Sequence, residues 1–517
     1  MSDYLAGILG GFAALADPVI LAYLVIGFLV GAFFAAVPGL TSVLAIALLL
    51  PVTYSLDIVP ALVMCAAIFM SGMYAGSVTA TTINIPGAPS SMMTAIEGNS
   101  LMRRGEGANA LGHAALGSMI GGGIGALLLI LVAPVTADIA LLIRTPGKFS
   151  LVLFALVVIV IAQRDAIAKG TVAALLGIMF ATVGVDVMQP VARFTFGTEL
   201  LVEGINMMPI IIGAFAVSEV LVQASVRGAS RTVDLEAGAI PRIRRRDFLP
   251  TRAEIREIGW WTYLKSAVIG YFIGVLPGAG GSMAAFVAYA EAMRKSRRPQ
   301  LFGKGSREGI AAAESANNSM CGGAYVPMLM FGIPGDPTTA VILGVLTISG
   351  LQPGPRLIET QLPLIAPMFA ALLVSAIVLI PLTLFLFGPY FLKIVSIRRA
   401  PLYSCIAVVA LVGAYVATYS TFQMALALFF GVLAFFMRRA GYPTVTLLLG
   451  FILGPDLEQY FRRGLSLNHN DPTIFVTSPD SLFFLGLTVF FFYFMVIRPS
   501  RQLNADEADG TNRQQTP

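Results

Sequence analysis

The chain has 517 residues, 57% of them hydrophobic and only 12% charged, about half the charged share of a soluble globular domain. Its net charge of +5 is gathered in a few loops, as the positive-inside rule requires of a membrane protein, and is not a nucleic-acid footprint. Three cysteines and two histidines exclude a disulfide framework and leave little material for His-based metal sites or for Ser-His and Cys-His catalysis.

In chain order, Met1 to Asp17 carries Asp3 and no basic stretch, so it does not read as a cleaved signal peptide. The first hydrophobic helix itself serves as the insertion signal. Apolar runs follow at Val19–Val37, Leu116–Val132, Ser150–Ala162, Ile205–Val222, Leu364–Phe387, Ser404–Val416 and Phe483–Ile497. Some fall short of the roughly 20 residues that a full span needs. They lack period-2 alternation, which argues against a β-barrel. The expectation is an all-α polytopic membrane protein with about 11 to 13 membrane-embedded segments, one per ~40 residues.

Four regions follow from composition: an N-terminal membrane repeat over 1–226, a basic cytoplasmic linker over 227–257, a C-terminal membrane repeat over 258–497 and a disordered polar tail over 498–517. The linker contains Arg242, Arg244, Arg245 and Arg246, and a second basic loop spans Arg294 to Arg307. Cys65, Cys321 and Cys405 lie in apolar surroundings and read as small buried hydrophobes.

The two membrane regions resemble each other. Val37-Pro38-Gly39 and Ile85-Pro86-Gly87-Ala88-Pro89 in the first match Leu276-Pro277-Gly278 and Ile333-Pro334-Gly335-Asp336-Pro337 in the second, in the same order. Pro134 with Pro146 echoes Pro389 with Pro401, and Gly177 falls opposite Gly431. Charge differs between equivalent loops. Leu40 to Leu56 has none before Asp57, whereas its counterpart ends in Arg294, Lys295, Arg297 and Arg298; Gln163 to Lys169 is charged, whereas Ala417 to Thr421 is not. Equivalent loops on opposite sides of the membrane are the mark of an inverted-topology repeat. Arg144 and Lys148 fit this scheme poorly.

Proline within an apolar run stops a helix. Thr41-Ser42, or Ser282, then caps the next. Each break leaves backbone N–H groups and a positive dipole end at membrane depth, where irregular backbone survives only against protein or a wet cavity. Carboxylates are natural ligands of such ends. Around the breaks, Ser77 to Asn84 and Glu314 to Ser319 are rich in hydroxyl and amide groups, which are costly in a bilayer and face a cavity or a partner helix. Their oxygens suit Na⁺, and their N–H groups suit a carboxylate. The same groups also serve as interhelical glue, and Gly27/Gly31, Gly72/Gly76 and Gly121/Gly125 read as packing pairs. Asp336 before Pro337 reads as an N-cap, with cation or proton coupling as the sharper role. Glu314 either joins the site or lies near cytoplasmic water, and Tyr74 reads as packing.

Tyr74-Ala75-Gly76-Ser77 with Asn84-Ile85-Pro86-Gly87, and Glu314-Ser315-Ala316-Asn317-Asn318 with Gly332-Ile333-Pro334-Gly335, resemble the signatures of the tripartite tricarboxylate transporter large permease subunit. The resemblance runs from about Gly27 to Leu465, with Ala75 where the family more often has glycine. It implies a bacterial inner-membrane permease that works with a small four-helix membrane subunit and a periplasmic solute-binding protein. It implies uptake of organic carboxylate anions, without a cofactor, driven by a Na⁺ or H⁺ gradient, since no GxxxxGK[ST] loop is present.

On this reading the candidate substrate site comprises Pro38, Gly39, Thr41, Ser77, Asn84, Pro86, Gly87 and Ser90 from the first half. Pro277, Gly278, Gly280, Asn317, Asn318, Pro334, Gly335 and Thr338 come from the second. Thr82, Asn84, Asn318 and Asp336 are the candidate cation-coupling residues. An elevator-like motion of the site past a fixed scaffold is the expected mechanism. The alternatives are a stand-alone ion-coupled antiporter or channel, which needs no binding protein, and an intramembrane enzyme, for which two histidines leave few general bases.

Overall fold

The computed structural model describes residues 2–163, 166–186, 188–225, 244–394 and 399–498. Most of the basic linker, including Arg242, and nearly all of the polar tail lie outside the described residues. Every apolar run read from the sequence forms a helix. Among the described residues seven helices are long and apolar enough to cross a membrane: Pro18–Ala36, Ile58–Ile83, Gly107–Leu142, Met207–Ser225, Leu362–Phe391, Thr421–Arg439 and Pro479–Ile497. Shorter apolar helices include Ser42–Ser55, Thr145–Ile161, Ile167–Ala181 and Pro337–Ile348. The chain is therefore an all-α multi-pass membrane protein.

The helices form two compact units, and both draw on the N-terminal and the C-terminal half. One holds Met1–Ala140 and Asn206–Phe435; the other holds Leu141–Ile205 and Phe436–Pro517.

In the smaller unit, glycine lets two helices meet backbone to backbone. A Cβ on Gly177 would strike the Leu447 carbonyl, and one on Gly450 would strike that of Ala174. Ser150 and Ser481 share a hydroxyl hydrogen bond of 2.6 Å. Gly184–Val185 and Ala192–Arg193 form a short antiparallel ladder. It is pinned to the Thr444–Leu467 helix by Arg193 on Glu458 at 2.7 Å and by Arg462 on Asp186 at 2.6 Å. The Arg462 hydrogen bond, with help from the Met188 and Gln189 amides, holds the Asp186 carboxyl down at about 2.

The larger unit contains all four Pro-Gly breaks, and the packing around them repeats too, whereas Pro146 and Gly177 of the sequence repeat fall in the smaller unit. The first break maps onto the third with an offset of 239 residues (Pro38 to Pro277), and the second onto the fourth with 248 (Pro86 to Pro334). With those offsets Gly31 corresponds to Gly270, and Ile68 to Ala316. Gly31 packs on the Ile68 carbonyl, and Gly270 packs on the Ala316 carbonyl. Gly87 packs on the Ala35 carbonyl and the Gly76 backbone; Gly335 packs on the equivalent Gly274 carbonyl and Ala324 backbone. Asn84 and Gly332 end equivalent helices in the left-handed region, at φ 58° and 67°. Gly39 and Gly278 turn the other pair of breaks, at φ 90° and 71°. Thus the internal similarity extends from sequence to close helix contacts, which require glycine because any Cβ would meet backbone.

The packing pairs behave as small-residue helix contacts. Gly27 abuts the Met64 backbone, and Gly121 and Gly125 abut the Ser315 and Ser319 backbones. Gly72 and Gly76 instead face Ser42 and Ser91, side chains at the starts of two interrupted helices. Cys65 and Cys321 are buried, whereas Cys405 is exposed. Its apolar neighbours Val408, Val409 and Val412 are exposed as well, as suits a helix face whose outer solvent is lipid.

Candidate functional site

Each of the four Pro-Gly breaks separates two helices. Pro38-Gly39 lies between Pro18–Ala36 and Ser42–Ser55, and Pro277-Gly278 lies between Trp260–Val275 and Gly280–Lys295. The segment 85–88 separates Ile58–Ile83 from Pro89–Ser91 and the helix that continues from it; 333–335 lies between Arg307–Phe331 and Pro337–Ile348. The Thr41 hydroxyl caps its helix by accepting from the Leu44 amide at 3.2 Å, an interaction contributing about 1 kcal/mol. Asp336 caps the fourth helix, with its carboxylate on the Thr338 amide at 2.8 Å and its own amide on the Thr339 hydroxyl at 3.0 Å. Ser282 is not a cap: its helix begins at Gly280 with Ala279 in the cap position and no side-chain bond. Glycine at 280 adopts φ 61°, so the backbone makes this turn without a capping side chain.

The four helix starts meet. Ser42 Oγ lies 3.4 Å from Thr338 Oγ1. A Cβ on Gly281, the position equivalent to Ser42, would lie 2.9 Å from Cβ of Ser90, the position equivalent to Thr338. Contacts exchanged in this way between equivalent positions are what a twofold relation produces. The two pairs are joined, because a Cβ on Gly280 would lie 3.3 Å from Oδ2 of Asp336. One chain of contacts therefore links Ser42, Thr338, Asp336, Gly280, Gly281 and Ser90. Asp336, Ser90 and Thr338 are all buried. The helix ends present positive dipole, and Asp336 is the carboxylate set among them.

Asn317 and Asn318 are fully buried beside this junction. Asn317 donates to the Met73 carbonyl at 3.1 Å, and Asn318 donates to the Met70 carbonyl at 3.1 Å. Neither Oδ1 has a protein partner. They differ in what faces them: a Cβ on Gly281 would lie 2.6 Å from Oδ1 of Asn317, so this oxygen points at the start of an interrupted helix. Ser77 donates to the Tyr74 carbonyl at 2.6 Å, and Thr82 donates to that of Val78 at 2.8 Å. Their protons are used within their own helix, which leaves oxygen lone pairs as the polar surface. Such a surface suits a cation better than an anion.

Other predicted residues sit apart from these contacts. Asn84 is exposed, and Pro86 is only partly covered, whereas the equivalent Pro334 is buried. Gly87 and Gly335 are enclosed by backbone. Pro38 is buried, its carbonyl 3.4 Å from the Tyr403 hydroxyl. Gly39 faces Gln223 and Tyr403, whose polar atoms lie 2.7 and 2.8 Å from where its Cβ would be. Gln223 in turn donates to Glu219 at 2.8 Å. Glu219, Gln223 and Tyr403 were missed by sequence reasoning. The spacing of Glu219 and Gln223, four residues apart on the Met207–Ser225 helix, was the available signal.

Glu314 does not lie near water, and it reaches the junction through a hydrogen bond with the Asn317 side chain. It is fully buried and accepts from the hydroxyls of Thr94 and Ser118, the latter at 3.2 Å. Tyr74 is buried, and its hydroxyl has no hydrogen-bond partner among the described residues. Among the described residues no group of three or more His, Cys, Asp and Glu is arranged to hold a metal ion.

The family described as "Tripartite tricarboxylate transporter TctA family" matches residues 21–449, a range that includes all four breaks. Two similar proteins come from Agrobacterium vitis. An uncharacterized 52.8 kDa protein in the TAR-I ttuC' 3' region is 34% identical over 489 residues, covering 94% of this chain and 95% of its own. An uncharacterized protein in the TAR-II ttuC' 3' region is 36% identical over 218 residues, covering 42% of this chain and 90% of its own. No solved structure matches.

Proposed function

Since the chain belongs to the tripartite tricarboxylate transporter TctA family, a family of transporters and not of enzymes, we propose that it imports organic carboxylate anions across the bacterial inner membrane. It is the large subunit of a tripartite assembly. Its partners, on this proposal, are a small four-helix membrane subunit and a periplasmic binding protein that delivers the substrate.

The observation that carries this reading is the linked set of helix starts at Ser42, Ser90, Gly280 and Asp336. Backbone N–H groups and aligned dipoles at helix N-termini are ready-made carboxylate ligands. Broken helices meeting at a repeat interface are the way secondary transporters place a substrate site inside the bilayer. Thr41, Ser90, Gly280, Asn317 and Thr338 then contact the anion. Asp336, the Asn317 oxygen and the Thr82 hydroxyl serve the coupling cation, Na⁺ or H⁺, whereas Asn318 ties two helices together. The two halves are inverted about an axis in the membrane plane, and the site moves as an elevator against a scaffold that the small subunit helps to hold.

The test is uptake of radiolabelled tri- and dicarboxylates into proteoliposomes containing the large and small subunits, with the genomically adjacent binding protein outside. Uptake should require the binding protein and an imposed Na⁺ or proton gradient. Uptake at an undiminished rate without the binding protein would leave a stand-alone carrier instead.

A further inference from the structure

The larger unit also holds a charged cleft remote from the Pro-Gly junction. Its volume is about 720 Å³, within the range of small-ligand sites. It lies between the Arg252–Ile258 helix, the first turns of Trp260–Val275, the end of Gly280–Lys295 and the loop before Arg307. Six basic and four acidic side chains line it, an excess of two positive charges.

Much of that charge is already paired. Lys265 and Arg294 share Glu291, Arg298 holds Glu257 at 2.5 Å, and Arg307 holds Glu254 at 3.4 Å. Glu308 accepts from the Ser296 hydroxyl at 2.6 Å. Three cations on the lining, Arg256, Lys295 and Arg297, are exposed and make no ion pair among the described residues.

One wall of this cleft is the Trp260–Val275 helix. Its inner face is buried through Tyr263, Ser266, Ala267, Gly270 and Tyr271. Its outer face is an apolar stripe of Trp261, Leu264, Val268 and Phe272, with Trp261 70% exposed. Trp260 and Trp261 are the chain's two tryptophans, and tryptophan marks the headgroup level of a bilayer. Trp261 belongs to both features: it lines the cleft and begins the stripe.

We propose that this cleft binds the phosphate headgroup of an anionic glycerophospholipid, with an acyl chain lying along Trp261, Leu264, Val268 and Phe272. A phosphodiester supplies the charge that Arg256, Lys295 and Arg297 lack. The stripe supplies about three turns of apolar surface in line with it. Basic pockets at the cytoplasmic ends of membrane helices recognise anionic headgroups in this way. A free phosphate would satisfy the same cations but would leave the stripe without a role.

The test compares native mass spectra of the detergent-purified large and small subunits after exchange with phosphatidylglycerol, phosphatidylethanolamine or inorganic phosphate. Phosphatidylglycerol should remain bound in preference to the other two. Arg256→Gln/Lys295→Gln/Arg297→Gln should weaken its retention about tenfold or more. Arg144→Gln/Arg439→Gln/Arg463→Gln, equal in charge but in the smaller unit, should not. Trp261→Ala should weaken phosphatidylglycerol and leave phosphate unchanged. Equal loss with both triple variants would overturn the proposal as non-specific charge attraction. Phosphate retained as well as phosphatidylglycerol would assign the cleft to a soluble anion. Phosphatidylglycerol held by the large subunit alone but absent from its complex with the small subunit would assign the cleft to that subunit; either result overturns the lipid.

Discussion

The side-chain amide of Asn318 donates to the backbone carbonyl of Met70 at 3.1 Å, and Asn318 and Met70 occupy the same position in the two halves of the chain. A twofold relation between the halves, as proposed, puts a contact between equivalent residues on its axis. The sulfur of Met70 accepts from the same amide at 3.3 Å. The bond therefore ties the Ile58–Ile83 helix to the Arg307–Phe331 helix where they cross. Asn317, one residue earlier, donates to Met73 in a similar manner, but its free oxygen faces Gly281.

This difference separates two roles that the sequence could only present together. Asn318→Ala should lower thermal stability by about 1 kcal/mol, equally with and without substrate, and leave transport affinity near normal. Asn317→Ala should raise the apparent KM for the anion or the driving cation in proteoliposome uptake, with the complex still assembled. Equal KM effects from both variants would contradict the division.

Gly87 and Gly335 lie against helix carbonyls, so a side chain at either must displace backbone. Gly87→Ala and Gly335→Ala should each destabilise the protein by roughly 1 to 3 kcal/mol, the usual cost of overpacking, and bulkier substitutions should prevent assembly. Thermal unfolding of the purified variants checks this. Wild-type stability with lost uptake would mean that the glycines act on substrate and not on packing.

Asp336 combines a cap with a buried carboxylate at the junction. Asparagine caps about as well as aspartate, whereas alanine costs about 1 kcal/mol. Asp336→Asn should therefore fold and assemble but lose the dependence of uptake on the cation gradient. Asp336→Ala should lose that dependence and stability as well. Gradient-driven uptake by Asp336→Asn at the wild-type rate would leave Asp336 as a cap alone.

The proposed inversion of the two halves makes opposite demands on two loops. Ser296→Cys should react with a membrane-impermeant maleimide from the cytoplasmic side, and Ser420→Cys should react from the periplasmic side. Labelling of both from one side would mean parallel halves.

Much of this fold was legible because lipid imposes simple rules. Long apolar runs must be helices, and proline with glycine inside such runs must interrupt them. The matched breaks therefore reveal both the internal similarity and the helix ends in the sequence itself. Which groups meet across those ends was not legible. Spacing along the chain does not reveal that Gly281 admits Ser90 and Asn317, or that Gly280 sits against Asp336. The Ser282 cap failed for a related reason: glycine at positive φ replaces a capping side chain, and a sequence rule favours the visible hydroxyl. Glu219, Gln223 and Tyr403 were hidden because each stands in an apolar helix far from the break that it faces. Cys405 was read as buried because apolar neighbours signal protein in a soluble domain but lipid here.

The most direct test of the central claim is to locate a bound carboxylate by cryo-electron microscopy of the assembled transporter in lipid nanodiscs. The account predicts anion density against the first helical turns that begin at Ser42, Pro89, Gly280 and Pro337, beside the Asn317 side chain. Density bound to the helices Thr145–Ile161 or Thr444–Leu467 of the smaller unit, with those four turns free, would contradict it.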